Sequence, residues 1–271
     1  MMAKHLSVCL VAAMVAVLTG CPAQVTATTA APARAPQITQ VSTIDALLAG
    51  VYDGVMPLSE LSQHGDFGIG TFHALDGEMV LLDGQFYQIR ADGHVYRPAP
   101  TVMTPFASVC PSAGLRSLAL PVGAMDMAAV QAAVDAAQPN MNLFEAVRVD
   151  GTFSYVKTRS VPAQQVPYPP LAEVTKTQPV FERKDVKGTV VGFRCPPFVK
   201  GVNVPGYHLH FLSDDRTFGG HILGFTADNV TVKHATVRRF NMILPDDAAH
   251  FGAVDLGKDR SHELESAEKE K

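Results

Sequence analysis

The sequence predicts an α+β protein with two β-rich parts and few helices. Two observations lead to this fold class. Three Asp-Gly steps separate short runs of strand-forming residues between Phe67 and Ala99, which is typical of an antiparallel meander. A Pro-rich segment, 161 to 170, then separates this part from a second set of strands. With 47% hydrophobic and 18% charged residues, the chain of 271 residues can bury a sizeable core.

The first residues are typical of an export signal and not of a folded element. Lys4 precedes an apolar run from Leu6 to Leu18, and the run ends in LTGC, which resembles the lipobox of bacterial lipoproteins. We therefore expect a signal peptide over residues 1 to 20 and lipidation of Cys21. The alternative is an ordinary secretory signal cleaved near Ala23. Both hypotheses place the protein outside the cytoplasm, and the first anchors it to a membrane on the periplasmic or extracellular face.

Composition also indicates the nature of residues 21 to 40, the kind of partner and the state of the cysteines. Residues 21 to 40 are rich in Ala, Thr and Pro, which favours a flexible tether. A formal charge of -4, without runs of Lys or Arg, argues against a nucleic-acid partner and favours a small molecule. Beyond the signal, only Cys110 and Cys195 remain, and with no repeated spacing they favour free, partly buried thiols over a disulfide framework.

The first part of the fold, predicted over residues 41 to 165, begins with helical patterns. TIDALLAGVYDG has apolar residues at helical spacing behind a possible cap at Thr43, which predicts a helix over 43 to 51, and MPLSELSQH repeats the pattern. The meander follows. An Ala-rich stretch from Met125 to Gln138 predicts one longer helix, and LFEAVRVDGTFSYVKTRS predicts a further strand.

The second part is predicted over residues 166 to 271. Its strands are FERKDVKGTVVGFRC, GYHLHF with the return strand that begins at His221, and NVTVKHATVRRFNMIL. The charged end of the chain, ELESAEKEK, predicts a helical tail. Few other helical patterns occur in this part.

Three histidines within fourteen residues are the most specific local feature. Alternate residues of a strand share a face, so His208 and His210 should stand side by side, and a turn over 213 to 220 returns His221 towards them. Three histidines with open positions are typical of a catalytic zinc site. The alternative is an ordinary polar face of a hairpin. The apolar neighbours favour the metal, since buried imidazoles need partners.

Several motifs occur together in the order found in one enzyme family. They are TIDALLAGVYDG, ELSQHGDFGIGTFHALDGEMVLLDGQFYQIRADG, TPFA, VRVDGTFSYVKTRSV, VTKTQPVF, GTVVGFRCP, GYHLHF and GGH. Across roughly residues 40 to 245 the sequence thus resembles the bacterial α-acetolactate decarboxylases. The resemblance implies a homodimer of a two-domain fold, with a mixed N-terminal sheet and a half-open, barrel-like antiparallel C-terminal sheet that carries zinc.

The resemblance also implies roles for individual residues. His208, His210 and His221 match the family's zinc ligands, while Thr71, Glu78 and Arg159 match residues of the active site. A glutamate near the C-terminus also reaches the metal in this family. Spacing from Pro245 leaves Glu265 and Glu268 as candidates, and we favour Glu268.

The implied reaction is the zinc-dependent decarboxylation of (S)-2-acetolactate to (R)-acetoin and CO₂ through a metal-stabilised enediolate. The substrate's own ketone accepts the electrons, so no organic cofactor is required. Arg159 would hold a carboxylate or oxyanion, Thr71 would orient the substrate or Glu78, and Glu78 or Arg159 would carry the proton. Three other hypotheses remain: a three-histidine zinc hydrolase, a cupin-type oxygenase, and a metal-binding lipoprotein without enzymatic activity.

Overall fold

Two large β-sheets contain most of the regular secondary structure of the described residues. The computed structural model describes residues 36 to 120, 123 to 245 and 250 to 268. The predicted signal peptide, Cys21 and most of the predicted tether lie outside the described residues. Within the part of the chain that is described, none of the helices is long and apolar enough to cross a membrane.

The described residues form fifteen strands, which are numbered here in chain order. They are β1 (Gln37–Val41), β2 (Met56–Pro57), β3 (Phe67–Thr71), β4 (Glu78–Leu82), β5 (Gln85–Ile89), β6 (Val95–Tyr96), β7 (Met103–Thr104), β8 (Ala107–Cys110), β9 (Arg116–Leu118), β10 (Met125–Asp126), β11 (Phe144–Arg159), β12 (Val180–Cys195), β13 (Gly206–Ser213), β14 (Gly219–Val237) and β15 (Arg239–Ile243). The five α-helices within the described ranges are short. They are α1 (Ile44–Leu48), α2 (Leu58–Leu61), α3 (Met127–Ala137), α4 (Leu171–Val174) and α5 (Ser261–Glu268).

The first sheet is mixed and has the strand order β15-β1-β8-β3-β4-β5-β6. Its antiparallel meander from β3 to β6 confirms the prediction from the Asp-Gly steps. Asp83 (φ 51°) and Gly84 (φ 74°) both have positive φ between β4 and β5, as a two-residue hairpin turn requires. Strand β1 is parallel to β15, which lies about two hundred residues later in the chain.

The second sheet is built on three long strands, β11, β12 and β14, and its order is β10-β14-β11-β12-β13. Strand β13 pairs with β12 along its whole length and also with the first residues of β14. The four strands β11 to β14 therefore close on themselves at the point where His210 faces His221. This is the hairpin that the histidine spacing predicted.

Helices cover the outer faces of the two sheets. Thr43 caps α1, because its hydroxyl accepts a hydrogen bond from the Ala46 amide, and Asp126 caps α3 in the same way. The predicted helices over 43 to 51 and over 125 to 138 are thus present, the first of them shorter than expected. It ends early because Gly50 takes the left-handed conformation with φ 94°.

The sheets pack face to face across one apolar layer. Phe67 of β3 lies edge-on to Phe193 of β12 with ring centroids 6.1 Å apart. Cys110 and Cys195 are buried in the same layer. The outer face of the first sheet packs against α2 and that of the second against α3. A further apolar cluster contains residues of the helices α1, α4 and α5.

Two sequence-based boundaries differ from what is observed. Residues 37 to 40, expected in the tether, form most of β1, because their backbone pairs with the remote strands β8 and β15. Strand β11 precedes residue 165 but belongs to the second sheet, and β15 follows it but belongs to the first. The predicted boundary near 165 therefore does not coincide with a division between the sheets, and the division into domains stays a prediction.

Close packing at Gly192 of β12 holds β13 in place. A Cβ there would overlap the carbonyl oxygen of His208 and lie 2.9 Å from the Leu209 Cα. At Gly224 of β14, by contrast, an added Cβ would meet nothing within 4 Å. We predict that Gly192→Ala lowers the free energy of unfolding by about 1–3 kcal/mol because β13 must shift. Gly224→Ala should change it by less than about 0.5 kcal/mol. Urea unfolding of both variants measures the difference, and equal effects would contradict this account.

Candidate metal centre and active site

The three histidines form one compact buried cluster. Their ring centroids lie 5.1 Å apart for His208 and His210, 5.1 Å for His208 and His221, and 5.5 Å for His210 and His221. One nitrogen from each ring lies within 4.8 Å of the others. Strand periodicity places the first two on one face of β13, and the pairing of His210 with His221 brings in the third.

The position of the ring proton on His210 is the one that a metal ligand requires. Its Nδ1 lies 2.8 Å from the carbonyl oxygen of Met79, which can only accept a hydrogen bond, so Nδ1 carries the proton. The lone pair of Nε2 is then free. This buried Nε2 has no hydrogen-bond partner among the described residues. A hydrogen bond from the second ring nitrogen is the usual way in which proteins orient a metal-binding histidine.

Burial also keeps the cluster uncharged. It lowers the pKa of His208 to about 3, and the positive charge of Arg159 acts in the same direction. Burial likewise places the pKa values of His210 and His221 well below the ordinary value for histidine. Neutral imidazole is the form that binds metals, and three such nitrogens fit zinc or a similar borderline divalent ion.

Two carboxylates approach the histidines from different elements. Glu78 begins β4, and its Oε2 lies 3.5 Å from Nε2 of His210. Glu268 ends α5, and its Oε2 lies 3.6 Å from Nε2 of His221. Of the two candidates in the tail, the structure thus brings Glu268 to the cluster, whereas Glu265 is exposed.

Burial changes the protonation of both carboxylates. It raises the pKa of Glu78 to about 8, although the nearby Arg159 opposes the shift and the charge of Glu268 adds to it. Burial also raises the pKa of Glu268, again against the effect of Arg159. A carboxyl group with a pKa near 8 is largely protonated at neutral pH and can donate a proton.

Arg159 and Thr71 complete the predicted set. Arg159 is the last residue of β11, pairs with His221 in the sheet and is 5% exposed. Thr71 lies opposite Glu78 in the β3–β4 pair, and its hydroxyl donates to the carbonyl oxygen of Gly77 at 2.7 Å. The proton of that hydroxyl therefore stabilises the turn that leads into Glu78, and the expected role of Thr71 towards the substrate or Glu78 stays a prediction.

All seven predicted residues line a single cavity. Its remaining wall includes apolar side chains that sequence patterns did not assign to a site: Ile44, Leu47, Leu75, Phe106, Val161 and Leu171. The sequence predicted these residues only as parts of helices, strands or connections. For Glu268, by contrast, the sequence does contain a pattern that supports the assignment. The apolar Leu264 lies four residues earlier, so both side chains lie on the same face of the predicted helix.

A cluster of neutral histidines, a protonated carboxyl group and a buried arginine within one cavity defines an enzyme with a site suited to a divalent metal. The model of the alpha-acetolactate decarboxylase family matches residues 38–258. The chain belongs to that family.

Similar proteins come from distant organisms. An alpha-acetolactate decarboxylase of Methanosarcina mazei is 49% identical over 230 residues, which cover 85% of this chain and 79% of the relative. That of Methylococcus capsulatus is 46% identical over 232 residues, covering 86% of this chain and 88% of the relative. A crystal structure of the Bacillus subtilis strain 168 enzyme has a TM-score of 0.82 at 38% identity, covering 86% of this chain and 100% of that one.

The histidine cluster generates a prediction about metal content. His208→Ala removes one of three converging nitrogens, so the purified variant should bind much less of an added divalent metal such as zinc. The control is His94→Ala, at an exposed position after the β5 strand. Metal analysis by mass spectrometry compares the two variants, and unchanged zinc in His208→Ala would show that this histidine is not a ligand.

The raised pKa of Glu78 generates a prediction for the metal-free protein. Between pH 4.5 and about 8 the folded state keeps a proton on Glu78 that the unfolded state has lost. The stability of the wild type should therefore fall as pH rises through this window, and Glu78→Gln removes that loss. The melting temperature of Glu78→Gln, relative to the wild type, should increase from pH 5 to pH 8. A constant difference across this range would contradict the assignment.

Proposed function

We propose that this protein is an acetolactate decarboxylase that converts (S)-2-acetolactate to (R)-acetoin and carbon dioxide. The observation that carries the proposal is the convergence of Glu78 and Arg159 on the three histidines, in a chain that belongs to the alpha-acetolactate decarboxylase family. Glu78 comes from the first sheet, and Arg159 and the histidines come from the second. The cavity thus combines a proton donor and an anion-binding group at a candidate metal centre.

The reaction requires no organic cofactor. The substrate has a ketone next to the carbon that loses carbon dioxide, and this ketone accepts the electron pair as an enediolate. Zinc held by His208, His210 and His221 would supply Lewis-acid stabilisation of the negative charge on the substrate oxygens. The side chains around it must bind the anion, exclude water and deliver one proton.

Arg159 is suited to the anion. Its guanidinium is planar, always charged and able to make two parallel hydrogen bonds with a carboxylate. The side chain is buried, so its charge is weakly screened by water. The nearby apolar side chains, such as Leu75, Phe106 and Val161, keep water from the cavity. The substrate carboxylate is therefore the charge that Arg159 balances best.

Glu78 is suited to the proton transfer. In the metal-free protein burial raises the pKa of Glu78 to about 8, which favours the protonated carboxyl group, whereas a guanidinium releases its proton only above about pH 12. After carbon dioxide leaves, the proton on Glu78 passes to one face of the substrate carbon, and solvent then restores the acid. A donor on one side of the cavity accounts for a single stereoisomer of the product.

Activity measurements on two variants test these roles. Glu78→Gln and Arg159→Ala should each reduce acetoin formation by about 100-fold or more, because the proton donor or the anion-binding group is lost. Both should keep their zinc. The controls Glu173→Gln and Arg97→Ala change exposed residues and should retain activity. Zinc loss in either site variant, or full activity in both, would contradict the assignment.

We further propose that zinc is the resident metal and that the protein works as an exported homodimer anchored through Cys21. The donor set of three histidines supports zinc over a harder ion. The LTGC sequence after an apolar run supports lipidation and export to the periplasmic or extracellular face. The dimer, like the half-open barrel form of the second sheet, is supported by resemblance to the family.

A further inference from the structure

The segment that leads from α4 into β12 forms one side of the cavity. Leu171 and Thr175 lie four residues apart on one face of the helical turn, and both line the cavity together with Gln178. The hydroxyl of Thr175 donates within its own turn, to the carbonyl oxygen of Ala172 at 3.4 Å. Gln178 belongs to the stretch VTKTQPVF, in which no site residue was predicted, and it adds a polar group to this wall.

Strand pairing places Gln178 beside Arg159. The last residue pair between β11 and β12 is Arg159 with Val180. Beyond this pair the amide of Ser160 still donates to the carbonyl oxygen of Pro179, at 3.3 Å. Gln178 is therefore the diagonal neighbour of Arg159 across the two strands. Diagonal neighbours in an antiparallel pair lie about 7–8 Å apart, which long side chains can bridge. Both side chains can thus contact one small molecule.

Pro179 restricts the backbone that carries this side chain. The residue before a proline is confined to extended conformations, because a helical backbone there would clash with the proline ring. The contact between Pro179 and Ser160 holds the same stretch against β11. The side chain of Gln178 therefore starts from a backbone of limited freedom, which reduces the entropy that is lost when it binds a ligand.

The side-chain carbonyl oxygen of Gln178 is a buried acceptor without a donor. Its Oε1 has no hydrogen-bond partner among the described residues, although the side chain as a whole is partly exposed. Four buried side-chain atoms of the described residues are in this state. Two of them, Nε2 of His210 and Oε1 of Gln178, belong to residues of this one cavity. Buried polar atoms are nearly always paired, so a ligand that supplies a donor would account for the exception.

The substrate has one group that matches this acceptor. 2-Acetolactate carries a carboxylate and a ketone, which only accept hydrogen bonds, and a tertiary hydroxyl group, which is its only donor. The carbonyl oxygen of a glutamine side chain only accepts. Arg159 donates and therefore fits the carboxylate, whereas Oε1 of Gln178 fits the hydroxyl group. Both substrate groups are bonded to the same carbon atom, so two neighbouring side chains can hold them together.

The two carboxyl groups of the cavity already have contacts with the histidines. Oε2 of Glu78 lies 3.5 Å from Nε2 of His210, and Oε2 of Glu268 lies 3.6 Å from Nε2 of His221. Both carboxyl groups therefore lie against the histidine cluster. Oε1 of Gln178 has no such contact within the described part of the chain, which makes it the better candidate for the hydroxyl group.

We propose that Oε1 of Gln178 accepts a hydrogen bond from the tertiary hydroxyl group of 2-acetolactate, so that Gln178 selects 2-hydroxy-3-oxo acids over 3-oxo acids without this group. The choice of substrate rests on the proposed function. A 3-oxo acid without the hydroxyl group leaves the acceptor buried and unpaired, and sites built around a hydroxyl reject such analogues. Gln178 is thus a specificity-determining residue and takes no part in the proton transfer.

Binding of two non-reacting acids tests the contact without turnover. 2-Hydroxy-2-methylpropanoate has the carboxylate and the tertiary hydroxyl group, and 2,2-dimethylpropanoate has a methyl group in place of the hydroxyl. Ligand-observed NMR titrations of the full-length protein with added zinc give both dissociation constants. The wild type should bind the hydroxy acid more tightly. Gln178→Met should reduce this preference by about 10-fold, because the acceptor is lost and the length of the side chain is kept.

Further variants separate the contact from a structural effect. Gln178→Glu keeps an acceptor oxygen on a side chain of the same length. Its negative charge weakens the binding of both acids alike, so the preference for the hydroxy acid should remain. Gln165→Met changes an exposed glutamine of the preceding segment and should match the wild type. If Gln178→Met does not fold, Gln178→Leu is measured in its place with the same criteria.

Turnover of two 3-oxo acids extends the test to the reaction. 2-Methyl-3-oxobutanoate is 2-acetolactate with a hydrogen atom in place of the hydroxyl group, and release of carbon dioxide is measured for both. Gln178→Met should lower kcat/KM for 2-acetolactate by about 10-fold to 100-fold. For 2-methyl-3-oxobutanoate the loss should stay below about 3-fold, since this acid never makes the contact.

Several results would overturn the proposal. They are a preference for the hydroxy acid that is unchanged in Gln178→Met, an equal loss of turnover for the two 3-oxo acids, and a wild type that does not distinguish the two non-reacting acids. A preference that falls in Glu268→Gln but not in Gln178→Met would assign the hydroxyl group to that carboxylate instead. A wild type that releases no carbon dioxide from 2-acetolactate would refute the proposed function. The binding measurements would then still decide whether Gln178 recognises a hydroxyl group.

Discussion

The hydrogen bond between Nδ1 of His210 and the carbonyl oxygen of Met79 is the contact on which the site depends. It joins β13 of the second sheet to β4 of the first at 2.8 Å, inside the protein. It also determines which nitrogen of His210 faces the cluster. Glu78 is the neighbour of Met79, so the same contact sets the distance between the carboxyl group and the histidines.

Burial gives the assembled residues their chemical character. The same loss of water keeps three histidines neutral and raises the pKa of Glu78, because charged forms are penalised in both cases. The positive charge of Arg159 opposes the rise in the pKa of both carboxyl groups. Three neutral histidines, a carboxyl group with a raised pKa and the guanidinium of Arg159 therefore line the same cavity.

Local patterns predicted the elements and part of the site. The Asp-Gly turns and helix caps have short-range physical causes, so the meander and helices α1 and α3 were predictable from neighbouring residues. The histidine hairpin was predictable for the same reason. Glu78 and Arg159 had no local signal that distinguished them from solvent-exposed strand residues, and only the resemblance to a family singled them out. The contact of Thr71 with Gly77 was not anticipated.

The sequence by itself determined a β-rich fold with few helices, the antiparallel meander from β3 to β6 and the hairpin that carries His208, His210 and His221. Those features follow from the period of two residues in a strand and from turns of a few residues. Tertiary structure alone decided that residues 37 to 40 form a strand, and it brought Glu268, which spacing had favoured over Glu265, to the cluster. Each depends on a partner far away in the chain, and the choice of such partners is governed by packing of the whole fold, which local sequence does not encode.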